Sequence, residues 1–131
     1  MYTQYGEKAD FLTIYIAEAH ASDEWSMLDT RNATDNGRFD VPLARTIEDR
    51  LKLANDWVAW LSEWLNKTGK ESVPYAVDPM DDNARLAYGA WPERLVVIEN
   101  GTVEYYGAMG PFGYKPEEVR QWLAARFPGR Q

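Results

Sequence analysis

The chain has 131 residues, 45% of them hydrophobic, a formal charge of -7 and no cysteine. The length fits one domain over residues 1–131 with a core of its own. The acidity argues against nucleic acid or an anionic membrane surface as main partner, because both are gripped through basic patches. Without cysteine the sequence offers no disulfide, thiolate metal site or thiol nucleophile. Six Trp and eight Tyr supply aromatic surface for a core, a ligand or a partner. No apolar run approaches membrane-spanning length and no signal peptide precedes the first strand, so the expectation is a soluble, cytoplasmic protein.

Met1 to Lys8 reads as the last turns of a helix, stopped near Gly6 or Lys8. Phe11 to Ile16 follows, an apolar run rich in β-branched and aromatic residues, which predicts a fully buried strand. The run then turns polar and delivers Glu18, His20, Ser22 and Asp23 in quick succession, just ahead of Trp25. His20 is the only histidine. A buried strand that empties into titratable side chains is the usual anatomy of an α/β active site. The stretch from Ala17 to Leu43 is too long for a passive connection. It either carries function or hides short elements, such as a hairpin closed by Asn36-Gly37.

Thr46 to Thr68 is the clearest helix: Ile47, Leu51, Ala54, Val58, Leu61 and Leu65 recur at spacings of three and four on one face. Thr46 is a good N-cap, and Glu48 and Asp49 suit the positive end of the helix dipole. Trp57, Trp60 and Trp64 form a second stripe, read as a widening of the core face, with a partner surface as the alternative. Val73 to Val77 is a short strand. Asp78-Pro79 suits a helix start with Pro at the first helical position, and the helix runs over Asp81 to Tyr88. Helix capping explains Asp78, Asp81 and Asp82 better than a cation site does. Asn100-Gly101 between Arg94–Ile98 and Val103–Tyr106 predicts a hairpin with a two-residue type I′ turn. Gly107 to Tyr114 is a Gly-rich loop expected to hold Phe112 over the core or a pocket. Pro116 opens the last helix, with Val119, Trp122, Leu123 and Phe127 facing inward.

A βα unit followed by a hairpin and a closing helix matches the second part of a thioredoxin-like fold. Three stretches carry a closer likeness: YIAEAHASDEW (Tyr15–Trp25), VDPMDDNARLAYGAWPERLVVI (Val77–Ile98) and GPFGY (Gly110–Tyr114), followed by an EEVRQWL helix. They resemble the iodothyronine deiodinase family, and the Trp91-Pro92 pair looks like its bacterial members. The resemblance implies a thioredoxin-like sheet flanked by helices, with a deiodinase-type insertion at about 17–45. It implies reductive dehalogenation of an iodothyronine or another aromatic halide by an oxidoreductase that draws on an external thiol and needs no bound cofactor or metal. It places His20 next to the substrate, donating to a phenolic or carbonyl oxygen, with Glu18 in support. Ser22, Asp23, Trp25, Pro92, Arg94 and Phe112 carry over as the surrounding substrate-contacting residues. Pro92 sits close to the fold's cis-proline position; an ordinary strand-start proline is an equal reading.

The departure from the family is chemical. Reductive removal of iodine needs a soft nucleophile of low pKa, which the family supplies as selenocysteine or cysteine. This sequence begins where the family's nucleophile helix is ending, so its first core strand and nucleophile are expected to be missing. As it stands the chain should be inactive. The alternative is a non-catalytic thioredoxin-like binding or oligomerisation module. A selenocysteine codon read as stop would account for a start at Met1. Loss of the strand between Phe11–Ile16 and Arg94–Ile98 leaves two rows of unpaired backbone groups. Three outcomes follow: the flanking strands close into an antiparallel pair, a partner chain fills the gap, or the sheet distorts. All favour an oligomer, a homodimer first.

Overall fold

The computed structural model describes residues 1–24, 41–69 and 73–129. Its elements run α1 (Tyr2–Tyr5), β1 (Thr13–Tyr15), α2 (Ile47–Thr68), β2 (Tyr75–Val77), α3 (Asn83–Ala87), β3 (Val96–Glu99), β4 (Thr102–Tyr106) and α4 (Pro116–Arg126). Strands β1 and β2 pair in parallel, Thr13 opposite Tyr75 and Tyr15 opposite Val77, with α2 in the crossover. Strands β3 and β4 form an antiparallel hairpin. The two ladders are separate, so among the described residues β1 and β3 are each paired along one edge only. The mixed helix-and-sheet content agrees with the sequence. Closure of the flanking strands into an antiparallel pair does not occur.

The first strand is shorter and more open than its composition suggests. Only Thr13–Tyr15 enters the ladder. Leu12 and Ile14 are exposed rather than buried. An apolar run is buried only if something covers both of its faces, and here β1 is covered incompletely. The expected hairpin at Asn36-Gly37 and the residue Trp25 lie outside the described residues.

Helix α2 follows its local chemistry closely. The Thr46 side chain accepts from the Asp49 amide at 3.2 Å, and the Asp49 carboxylate accepts from the Thr46 amide at 3.1 Å, a complete capping box. Gly69 ends the helix in the left-handed conformation. Ala54 and Leu65 of the predicted face are buried, but Leu51 is exposed. The buried residue at that end is Arg50, which is 2% exposed. Its Nη1 donates to the carbonyls of Asp78 at 3.0 Å and Pro79 at 2.8 Å and to the Asp82 carboxylate at 2.9 Å.

Arg50 thereby fixes α2 to the segment that leaves β2. That segment does not start a helix at Pro79, as the sequence suggests. Asp82 donates its amide to the Pro79 carbonyl in a turn, and α3 begins at Asn83. Asp78 nonetheless satisfies the helix start from a distance, accepting from the amides of Ala84 at 2.9 Å and Arg85 at 2.8 Å. Asp82 bridges the two guanidiniums, Arg50 on one oxygen and Arg85 on the other.

The other half is apolar. Asn100 and Gly101 both take positive φ, 51° and 77°, as a type I′ turn requires. A register shift between Val97 and Ile98 bends the hairpin. Val119 and Leu123 of α4 are buried with Tyr5 of α1, and Phe11, Leu95, Val97, Tyr105, Trp122 and Phe127 pack around them. The inward face read from the sequence of α4 is the one observed. Tyr105 donates to Glu118 at 2.7 Å and Arg126 to Glu99 at 2.8 Å, holding α4 on the hairpin.

Candidate ligand site

Where β1 ends, the chain turns over α2 and leaves a cavity of about 560 Å³. Tyr15, Glu18, Ala19, His20 and Val41 form one side; Leu53, Asp56, Trp57, Ala59, Trp60 and Glu63 of α2 form the other. The α2 residues recur at three and four, so they share one face of the helix. The stripe begun by Trp57 and Trp60 is therefore a cavity wall. Trp64, exposed at 45%, does not line it.

The carboxylate of Glu18 holds this wall together. It accepts from the Tyr15 hydroxyl at 2.9 Å through one oxygen and from the Ala44 amide at 3.2 Å through the other. It therefore joins the exit of β1 to the approach to α2. Burial, and after it the charge of Glu18 and the hydrogen bond to it, push the Tyr15 hydroxyl well above the usual phenol range. Tyr15 is thus a fixed neutral donor, its ring 6.2 Å from that of Trp57 and tilted against it.

Ser22 and Asp23 stand beside this arrangement rather than in it. The Ser22 amide donates to the Val41 carbonyl at 2.8 Å. Asp23 accepts from the Leu43 amide at 2.8 Å and from Arg45 at 3.2 Å. The Leu43 amide first, and then Arg45, hold its carboxyl below the usual range. Both residues clamp together the two ends of the 17–45 insertion.

The hairpin-side residues do not reach the cavity. Trp91-Pro92 is a cis peptide, but Pro92 is not in the cavity wall. Arg94 donates from Nε to the Gly89 carbonyl at 2.8 Å and from Nη1 to that of Gly107, and lies 4.3 Å from the Tyr106 ring centre. It braces the end of α3 against the hairpin. Phe112, expected to cover the core or a pocket, is 96% exposed. The Gly-rich turn points it outward, since nothing in that loop's sequence dictates direction. Of the seven predicted site residues that are described, Glu18 and His20 line the cavity and the others do not.

Sequence reasoning missed Tyr15, Asp56 and Glu63. The signal was available: Tyr15 lies three residues before Glu18, and Asp56, Trp60 and Glu63 lie a turn apart. Among the described residues no group of three His, Asp or Glu is arranged to hold a metal. The wall can bind an aromatic body, accept a hydrogen bond at the Tyr15 oxygen, donate one from the His20 ring, and present carboxylates. Among the described residues it contains no thiol or selenol to attack a halogen.

An aromatic-walled cavity of this size, with few polar groups converging on it, has the form of a small-molecule site. The family model for iodothyronine deiodinase matches residues 1–127, and the chain belongs to that family. Thyroxine 5-deiodinase of Gallus gallus is 40% identical over 115 residues, which are 88% of this chain and 38% of that protein. The Bos taurus and Homo sapiens proteins of the same name are each 37% identical over 121 residues, 92% of this chain and 35% and 34% of theirs. The chain thus spans little more than a third of the length of these relatives. Among the described residues no helix is long and apolar enough to cross a membrane.

Proposed function

We propose that this chain supplies the substrate-binding wall of a deiodinase-type, thioredoxin-like oxidoreductase domain. It holds an aromatic halide between Tyr15, Trp57 and Trp60 while His20 donates a hydrogen bond to the ligand's oxygen. The observation that carries this is the cavity at the end of β1, with His20 and Glu18 in its wall. The chemistry itself requires a soft nucleophile and an external thiol. With no cysteine in these 131 residues, the cysteine or selenocysteine must come from outside them, and this chain alone is inactive. The edges of β1 and β3 that are unpaired among the described residues supply a place for such a strand, or for a second copy of the chain in a homodimer.

Two assays test the proposal. Calorimetric titration with an iodinated phenol should show binding, and His20→Ala should weaken it roughly three- to tenfold, the value of one hydrogen bond. Unchanged affinity in His20→Ala contradicts the role given to His20. A chain extended upstream by a strand and helix bearing Cys or Sec should release iodide with dithiothreitol, and the 131-residue chain should not. An extended, folded chain that binds ligand without turnover would favour the alternative, a non-catalytic binding module, to which the absence of cysteine also points.

A further inference from the structure

We propose that Asp23 is a positioning residue for the cavity: it sets ligand affinity without touching ligand, by holding together the two chain segments that form the wall opposite α2. This rests on the reading of the cavity as the ligand site and adds what keeps that site in shape.

The wall opposite α2 comes from two segments far apart in sequence. Tyr15, Glu18, Ala19 and His20 lie at the exit of β1, whereas Val41 lies on the approach to α2. Residues 16–24 and 41–46 contain no helix or strand, so no ladder keeps the segments side by side. Hydrogen bonds between them do so instead. Glu18, in the cavity wall, accepts from the Ala44 amide at 3.2 Å. The Ser22 amide donates to the Val41 carbonyl at 2.8 Å. One alanine on each segment, Ala21 and Ala44, is buried, and side chains this small let the two backbones approach.

Asp23 completes this clasp from outside the cavity wall. Its side chain is 41% exposed, yet both carboxylate oxygens accept from the far segment. Oδ1 takes the Leu43 amide at 2.8 Å and Oδ2 takes Arg45 Nη2 at 3.2 Å. Leu43 lies two residues after Val41, and Arg45 directly precedes Thr46, the N-cap of α2. Asp23 therefore ties the His20 segment to the capped start of the helix that forms the other wall. The pair with Arg45 is the lesser part: it is exposed, and Arg45 also reaches Glu24 at 3.6 Å. The bond to the Leu43 amide is the greater part. Without it the segments separate in a fraction of the molecules, and ligand meets a complete wall only in the rest. Apparent affinity falls in proportion.

Calorimetry with an iodinated phenol tests this on the full chain. Asp23→Ala should weaken binding roughly three- to tenfold. Asp23→Asn keeps an oxygen for the Leu43 amide and should bind within about twofold of the unaltered chain, as should Arg45→Ala, which removes only the exposed pair. Two-dimensional NMR supplies a readout that a general loss of stability would not give. In ligand-free Asp23→Ala the His20 ring and Val41 methyl signals should be displaced, and saturating ligand should return them to their positions in the liganded unaltered chain. Unchanged affinity in Asp23→Ala, an equal loss in Asp23→Asn, or signals that stay displaced at saturation would overturn the inference alone. Failure of the unaltered chain to bind the phenol would overturn the cavity as ligand site, and the inference with it.

Discussion

The half of the molecule built from β1, α2, β2 and α3 and the half built from α1, β3, β4 and α4 face the same packing problem with different means. In the second, Tyr5, Val119 and Leu123 are buried among Phe11, Leu95, Val97, Tyr105 and Trp122. In the first, the largest fully buried side chain is Asp78, and the tie between α2 and the β2 exit is Arg50. Polar ties fix geometry without filling volume, and this one does so with the Nε atoms of Arg50 and Arg85 buried and unpartnered. Such ties let α2 stand off from the end of β1 and leave a cavity there. The apolar half is the anchor, and the polar half holds the site.

Arg50→Ala should have the largest effect. It strips the buried partner from Asp82 and the donor from two carbonyls, and should cost about 3–5 kcal/mol, the value for breaking a buried pair. Urea unfolding of the variant measures it; a loss below about 1 kcal/mol would break the contrast between the halves. Leu123→Ala should cost about 3 kcal/mol through lost burial and the cavity it creates. It should leave ligand affinity unchanged, because α4 does not line the site. Gly101→Ala should cost about 1–2 kcal/mol. Space is not the reason, since nothing lies within 4 Å of the added methyl; the cost is the positive φ of 77°.

The smallest effect is on pH dependence. Burial alone would raise the carboxyl of Asp82, but hydrogen bonds from Arg85 and Arg50, with their charges, outweigh it and hold it below the usual range. A depressed folded pKa contributes stability that is present above the unfolded carboxyl range and lost as pH falls through the folded value. Melting temperature should therefore drop below about pH 4. The drop should be shallower in Asp82→Asn, where Asn still tolerates the left-handed backbone at φ 55°. Identical slopes for the two proteins would remove Asp82 from the account.

Local chemistry made half of this legible in the sequence. Thr46 and Asp49 lie three residues apart, Asn100-Gly101 is a self-contained turn, and α4 declares its face by spacing. Each needs no information from the rest of the chain. Arg50 and Asp78 are separated by 28 residues, and neither residue type suggests burial, so the polar tie was invisible. The Phe11–Ile16 run looked buried because composition reports what a strand can pack, not what covers it. Phe112 failed for the same reason, since a Gly-rich loop leaves its direction to tertiary contacts. At the site, His20 and Glu18 were legible as a polar cluster at a strand end. Their cavity partners on α2 were visible as a stripe, but their facing His20 was not.

The central claim is that ligand binds between the end of β1 and α2, not on the hairpin side around Arg94 and Phe112. Two-dimensional NMR of the chain during titration with an iodinated phenol tests it most directly. The indole signals of Trp57 and Trp60, the His20 ring and the Tyr15 amide should shift together and saturate with one dissociation constant. Shifts gathered instead at Arg94, Tyr106 and Phe112, with Trp57 and Trp60 unmoved, would contradict it.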